Sequence, residues 1–425
     1  MSLRRFFSTV FQASARSDWV SSNDHWAMRA GAMRTDTGLY VSETMALNLP
    51  VVYACVGLLS DVLATAPAQV VEVSEAPDGT RRTKPVIGDP RESMLNLRPN
   101  EYMTAFTARQ TLQAHTLLWG NGYGQIFRNS RGQAEELYPL PAGSIAPVTV
   151  DTARGKSVRW RGTVDGQSFD KPSDEIFRIQ TLGNDGYSGL SPIALSRQAL
   201  GLGLAMEKYG AKLFANDLRS GGFVSHPAEL SPQAVKNLED SLNAKAGLDN
   251  AHGVKVLEEG MTFTPGSIPP DDAQFLGSRE FTIAEFARMY RVPLELLQAQ
   301  GKTSSWGSGI EQLFLAFISF TLRPWVKQWE QEMTYKMLTT EEIGRGLEIN
   351  FNIEDMKRGD SSARAAFYER MVGIKAMTPN EVRADEGRNP LDGGDDFPEV
   401  QPSAMPGKTP ERIREDDVTR KDEAA

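Results

Sequence analysis

The sequence predicts an α+β protein in which two long helices carry a small α/β insert between them. Three observations lead there. Residues 45–180 mix amphipathic helical stripes with a run of short strand signals. Long helical patterns open after Ser191-Pro192 and near Asp271-Asp272, and they bracket a stretch rich in strands and turns. A polar, glycine-rich stretch, 298–309, then separates the second long helix from a third helical pattern.

The chain has 425 residues, enough for two or three domains, and its 40% hydrophobic and 24% charged residues are ordinary for a globular protein. The net charge of -9 argues against a protein that coats DNA with a broad basic surface. Cys55 is the single cysteine and sits in an apolar run, so no intrachain disulfide is possible and the chain reads as cytosolic. The start lacks the apolar core of a secretory signal, and Val51–Leu63 is too short to span a bilayer. Four histidines, at 25, 115, 226 and 252, are too scattered for a histidine metal site.

Residues 1–44 are polar and poorly periodic, which predicts an arm or a loosely packed lead-in. The first helix is expected to be capped by Asn48, with Pro50 in its first turn and Pro67 at its end. Val52, Cys55, Val56, Leu59, Val62 and Leu63 make its apolar stripe. Val70–Val73 reads as a strand and Asp78-Gly79 as a turn. A second helix spans about Thr104–Trp119, with Phe106, Leu112, His115 and Leu118 on one side. Gly120–Phe127 breaks it and opens a strand, and Asn129–Gly132 turns the chain into the next, Glu135–Leu140. Val148–Val150, Val158–Val164 and Glu175–Gln180 complete the strands.

The stripe from Ile193 to Phe214 predicts one continuous helix of about 23 residues, roughly 35 Å long, stopped by Ser220-Gly221-Gly222. The insert contains a strand at Gly222–Ser225, a helix after Ser231-Pro232 and a hairpin from Gly253 to Pro265. The second long helix ends before Pro293. In the third, from Ile310, Pro324 is expected to produce a kink, with Trp325 and Trp329 on one face. A strand at Leu347–Asn352 and helices at Asp360–Ile374 and Thr378–Glu386 follow. After Pro390 the composition predicts a disordered tail.

No motif makes an enzyme. Gly301-Lys302-Thr303 ends like a phosphate-binding loop, but the first glycine that loop requires is Leu296 here, and no strand precedes it. Ser188, between Gly186 and Gly189, lacks the G-x-S-x-G context and reads as a turn before the helix at Ser191. The acidic pairs Asp271-Asp272, Asp355/Asp360 and Asp395-Asp396 suit a helix start or loops better than acid–base chemistry. Trp325 and Trp329 fit a core or interface better than a base-stacking platform. No catalytic, cofactor or metal residue is therefore assigned. The polar loop is the conspicuous feature: Gln300, Lys302, Thr303, Ser304, Ser305 and Trp306 combine a phosphate-binding cation with a flat aromatic face.

Six segments in order, 51–70, 95–145, 185–200, 281–297, 320–333 and 378–395, resemble the portal proteins of lambdoid and related long-tailed phages. The resemblance covers about 40–395. It implies a portal fold: an α/β wing, long stem helices, a small α/β clip and a helical crown, closed into a dodecameric ring at one capsid vertex. On this chain it gives an N-terminal arm at 1–40, a wing at 41–190, a stem helix at 191–221, a clip at 222–268 and a second stem helix at 269–292. The tunnel-loop region would be 293–309, the rest of the wing 310–355, the crown 356–395 and a disordered tail 396–425. The implied partners are further copies of the chain, double-stranded DNA, the terminase large subunit, a head-completion adaptor, and the major capsid protein with its scaffold. The implied location is the virion, after assembly in the host cytoplasm. An acidic chain suits DNA that must slide without sticking. The rival readings are a ring-forming head or tail adaptor that conducts nothing, and a hydrolase or nucleotidase using Ser188 or Lys302.

Overall fold

The computed structural model describes residues 33–75, 79, 81–153, 155–164, 166–215, 222–225, 232–233, 235–236, 262–265, 272–297, 308–353, 361–386 and 388–397. The chain divides into two compact units, Met1–Ile353 and Glu354–Ala425.

The first unit opens with a short antiparallel hairpin, β1 (Met33–Arg34) and β2 (Tyr40–Val41). This part of the expected loose lead-in is tied down: Thr35 Oγ1 donates to the Leu39 carbonyl at 2.8 Å, and Val41 is fully buried. Helix α1 (Pro50–Thr65) follows. Its N-cap is Leu49, not Asn48, and no side chain caps it. Pro50 takes the first helical position, where its missing N–H costs nothing, so the cap falls one residue later than the polar signal suggests. Leu49 is only 3% exposed and gains burial in exchange for the lost cap. The stripe Val52, Cys55, Val56, Leu59 and Leu63 is buried, with Val62 half-buried. Ala66, which precedes Pro67, is extended as that position requires, and it ends the helix.

Strands β3 (Ala68–Glu75) and β4 (Arg81–Pro85) pair, and β3 also pairs with the distant β13 (Leu347–Phe351), giving the order β13-β3-β4. Helix α2 (Ala105–Trp119) is capped by Thr104, whose Oγ1 accepts from the Thr107 N–H at 3.2 Å. Leu112 and Leu118 are buried as expected, whereas Phe106 faces out at 38% exposure. The helix ends on Gly120 at φ +83°, where an added Cβ would lie 2.6 Å from the Gly189 carbonyl oxygen. Only glycine fits both that dihedral and that approach. Strands β5 (Asn121–Arg128), β6 (Ala134–Pro139) and β10 (Ile176–Gln180) form a sheet in the order β10-β5-β6. A separate meander joins β7 (Ile145–Thr152), β8 (Gly155–Val164) and β9 (Gln167–Pro172). Strand β9 has no sequence signature. Phe169 is its single large apolar residue, and β8 supplies its hydrogen-bonding template.

The first long helix is interrupted. One turn, Pro192–Leu195, is capped by Ser191, and Ser196 (φ −100°, ψ 18°) separates it from α3 (Arg197–Ala215). Tertiary ties at each side of the break set it. Ser191 Oγ donates to the Leu118 carbonyl at 2.7 Å, and Ser196 Oγ lies 3.0 Å from Met289 Sδ. Strand β11 (Gly222–Ser225) pairs antiparallel with β12 (Thr262–Pro265). The first half of the hairpin expected at Gly253–Pro265 lies outside the described residues, and its second half is β12. Helix α4 (Asp272–Met289) is the second long helix.

Helix α5 (Ser308–Phe317) runs through a π-helical turn, Ile318–Leu322, into α6 (Arg323–Met337). The irregularity expected at Pro324 therefore lies just before it. The π turn restarts the hydrogen-bond ladder, and Pro324 falls in a first turn that tolerates it. A short helix, α7 (Thr340–Gly344), has a full capping box between Thr339 and Glu342. In the second unit, α8 (Ser361–Gly373) is followed by α9 (Pro379–Asp385), which has a Thr378/Glu381 capping box.

The main core gathers α1, the end of α2, α3, the end of α4 and Phe317. A second core under the strands includes Tyr123, Leu140, Ile145, Trp160 and Ile176. Trp329 is fully buried, its ring centroid 5.1 Å from Phe177 and its Nε1 donating to Gln113 Oε1 at 2.9 Å.

Candidate functional site

Gln300, Lys302, Thr303, Ser304, Ser305 and Trp306 lie outside the described residues, and what the structure describes is their frame. On the N-terminal side, α4 closes in a Schellman motif. The Val292 N–H donates to the Ala287 carbonyl at 2.9 Å and the Arg291 N–H to the Arg288 carbonyl at 3.1 Å. Arg291 takes the left-handed position at φ 56°, where glycine is usual. Thr321 Oγ1, from the π turn, donates to the Arg291 carbonyl at 2.8 Å. Tyr290 and Val292 are buried on either side, and the Tyr290 hydroxyl donates to the Leu117 carbonyl at 3.3 Å. A 3₁₀ turn, Leu294–Leu297, packs Leu296 and Leu297 against the main core. On the other side, Phe317 and Ile318 are buried. The polar stretch thus leaves from one core-anchored point and returns through another.

The other sequence candidates are placed as follows. Ser188 belongs to a turn in which Asp185 Oδ1 accepts the N–H groups of Tyr187 and Ser188, both at 2.8 Å. Those two bonds hold the Asp185 carboxyl below the usual range. Asp395 accepts from Asn380 Nδ2 at 3.0 Å, a local tie. Asp271, Asp355 and Asp360 lie outside the described residues, as do the histidines at 25, 226 and 252. His115 packs edge-on to Trp119, ring centroids 5.5 Å apart. Among the described residues, no group of three or more His, Cys, Asp or Glu could hold a metal ion, and no helix is long and apolar enough to cross a membrane. Burial pushes the Cys55 thiol up to about 12, which leaves it a small hydrophobe. Phe317 and Trp329 are both inside the subunit; Trp325 is half-buried against the main core.

Sequence reading missed a buried ion cluster. Arg91, 2% exposed, makes a two-point contact with Asp89, Nε to Oδ1 at 2.8 Å and Nη2 to Oδ2 at 2.7 Å. Its Nη1 donates to Glu342 Oε2 at 2.8 Å. Burial alone would raise the Glu342 carboxyl, but the bonds from Arg91 and Thr339 hold it at about 2. Asp89 is likewise held below its ordinary value. Glu342 stands 251 residues from Arg91 in sequence, and only the Thr339/Glu342 capping box was a visible signal.

A match to the family model "Phage portal protein" runs from residue 50 to residue 387. The chain belongs to the phage portal protein family. Among curated portal proteins, that of Enterobacteria phage HK97 is 33% identical over 356 residues, covering 84% of this chain and 82% of its own. Two solved structures are similar in fold: the neck of an empty GTA particle computed with C6 symmetry, and the neck of a native GTA particle computed with C12 symmetry. The first has a TM-score of 0.56 at 22% identity, the second 0.54 at 20%, and each comparison covers 86% of this chain and 98% of the other. The portal match takes in both long helices, the frame of the polar stretch and α9.

Proposed function

We propose that this chain is the portal subunit of a tailed-phage particle, closing as a dodecamer at one capsid vertex into a conduit for double-stranded DNA. The family match over residues 50–387 carries the reading. The native GTA neck, computed with C12 symmetry, supports twelve copies. Ring closure of identical subunits uses head-to-tail contacts between two different faces of the chain. In this reading, α3 and α4 are the stem, and the β11–β12 pair is the base of a clip. The clip would meet the terminase large subunit during packaging and a head-completion adaptor afterwards. The wing would meet the major capsid protein and scaffold, and the ring would nucleate procapsid assembly. The chain does no catalysis; the motor is a separate protein.

The polar stretch would project into the channel. Twelve copies of Lys302 would form a ring of positive charge within an assembly whose subunits each carry -9. One cation per subunit contacts phosphate weakly enough to permit sliding, because affinity for DNA grows with the number of phosphates neutralised together. Trp306 would add a steric brake against slippage. Images down the axis of the purified assembly, with its mass, test the conduit: a twelvefold ring with an open channel is expected, and a closed disc would instead identify a non-conducting adaptor. The loop is tested separately. A Lys302→Ala, Trp306→Ala double variant should assemble normally yet retain fewer full-length genomes; normal retention would rule the loop out.

A further inference from the structure

Among its described residues the second unit buries one large apolar side chain, Tyr368 of α8, at 8% exposure. Residues 354–360 and 398–425 contain no aromatic residue that could add to it. A fold with so little inside needs a staple, which below about 40 residues is a disulfide, a metal or association. Cys55 is the chain's single cysteine and belongs to the first unit. No group of three or more His, Cys, Asp or Glu among the described residues could hold a metal. Association with another surface remains.

The unit carries two uncovered apolar patches. Phe367, Met371 and Ile374 are spaced four and three residues apart and share one side of α8. The Ile374 N–H extends that helix by donating to the Arg370 carbonyl at 3.0 Å. Phe367 is 47% exposed and Ile374 66%, with Met371 half-buried between them. The second patch, Leu391 and Phe397, follows α9 and is 58% and 41% exposed. Leu391 is held in place: its N–H donates to Asn380 Oδ1 at 2.7 Å, and its carbonyl accepts from Asn380 Nδ2 at 3.0 Å. Both patches stay open within one copy, so neither is the other's cover. Their borders differ in sign. Exposed Arg370 and Lys375 flank the first patch in sequence, and exposed Asp392 and Asp396 flank the second. Two different patches with borders of opposite charge suit a head-to-tail contact, and rotational symmetry gives every copy the same two neighbours.

We infer that the Phe367–Met371–Ile374 side of one copy docks on Leu391 and Phe397 of the next, so that the second unit completes its core only when the ring closes. The inference rests on the ring of the proposed function. In the assembled full-length protein, a benzophenone side chain placed at Ile374 should cross-link on illumination to peptides containing Leu391 or Phe397. The product should run at the mass of two chains on a denaturing gel. Adducts within one chain, adducts to the first unit of any copy, or no adducts would overturn it. Hydrogen exchange is an independent arm. Ile374 and Leu391 are both more than half exposed in the single subunit, so Ile374→Glu with Leu391→Glu keeps Tyr368 and the Asn380 bonds in place. In assembled rings that double variant should speed exchange of the α8 and α9 amides by at least about tenfold, because a unit without its neighbour opens more often, and should leave α1 unchanged. Unchanged exchange in α8 and α9 would also overturn the docking. Axial images and the mass of the same samples report the ring itself. A ring without these adducts defeats the inference alone, whereas a chain that forms no ring defeats the proposed function as well.

Discussion

Arg91 shows how much one side chain can hold. Its guanidinium closes a two-point contact to Asp89 and reaches Glu342 on α7, all nearly out of contact with water. Replacing it by methionine leaves two carboxylates facing each other without their cation, which should cost about 3–5 kcal/mol in denaturant unfolding. The same cluster sets a pH response. Both carboxyls are held below their ordinary values, so between those values and the folded ones the unfolded chain binds more protons. The cluster's contribution is complete above about pH 5 and should fade as pH drops toward the Glu342 value of about 2. Denaturation midpoints measured from pH 6 to pH 2 should show this slope in the natural chain and a flatter one in Arg91→Met. Arg291 makes the opposite case. It occupies a left-handed position that costs an L-residue roughly 1–2 kcal/mol, while its carbonyl is held by Thr321. Arg291→Gly should stabilise the subunit by about 0.5–1 kcal/mol, because glycine's extra freedom in the unfolded chain returns part of the gain.

At the scale of elements, periodicity was a good guide where one face is buried and one is wet. Helix α1 follows its apolar stripe, and α2 spans Ala105–Trp119 where a helix from about Thr104 was expected. It failed where a distant partner decides. The break at Ser196 comes from α2 and α4, and β9 exists because β8 presents an unpaired edge. Asn48 lost the cap to Leu49 because Pro50 and burial outweigh one hydrogen bond of about 1 kcal/mol. Trp329 was legible as an anchor, but not its companions. It packs against Phe177 from β10 and Phe351 from β13 and donates to Gln113 from α2. Trp329→Ala should therefore cost about 3–5 kcal/mol and loosen the contact of α6 with both sheets, read as a lower unfolding midpoint with an unchanged α8 and α9 signal in hydrogen exchange.

For the whole molecule, the division after Ile353 has a direct consequence. A chain ending at Ile353 should keep a cooperative thermal transition of its own. One ending at Arg345 loses β13, the strand beside β3, together with Phe351 against Trp329, and should not. Circular dichroism melts of the two truncations separate these outcomes. The sequence by itself determined the α+β class, the order of most helices and strands, the lack of catalytic motifs, and, through six ordered segments, the portal resemblance that the family match upholds. These are properties of local pattern, and local pattern survives without the fold. Only the tertiary structure decided the Asp89–Arg91–Glu342 cluster, the pairing of β13 with β3, and the seating of the N-terminal hairpin on α3. Each joins residues more than 150 positions apart, where no periodicity reaches and where burial and hydrogen-bond satisfaction choose the partner.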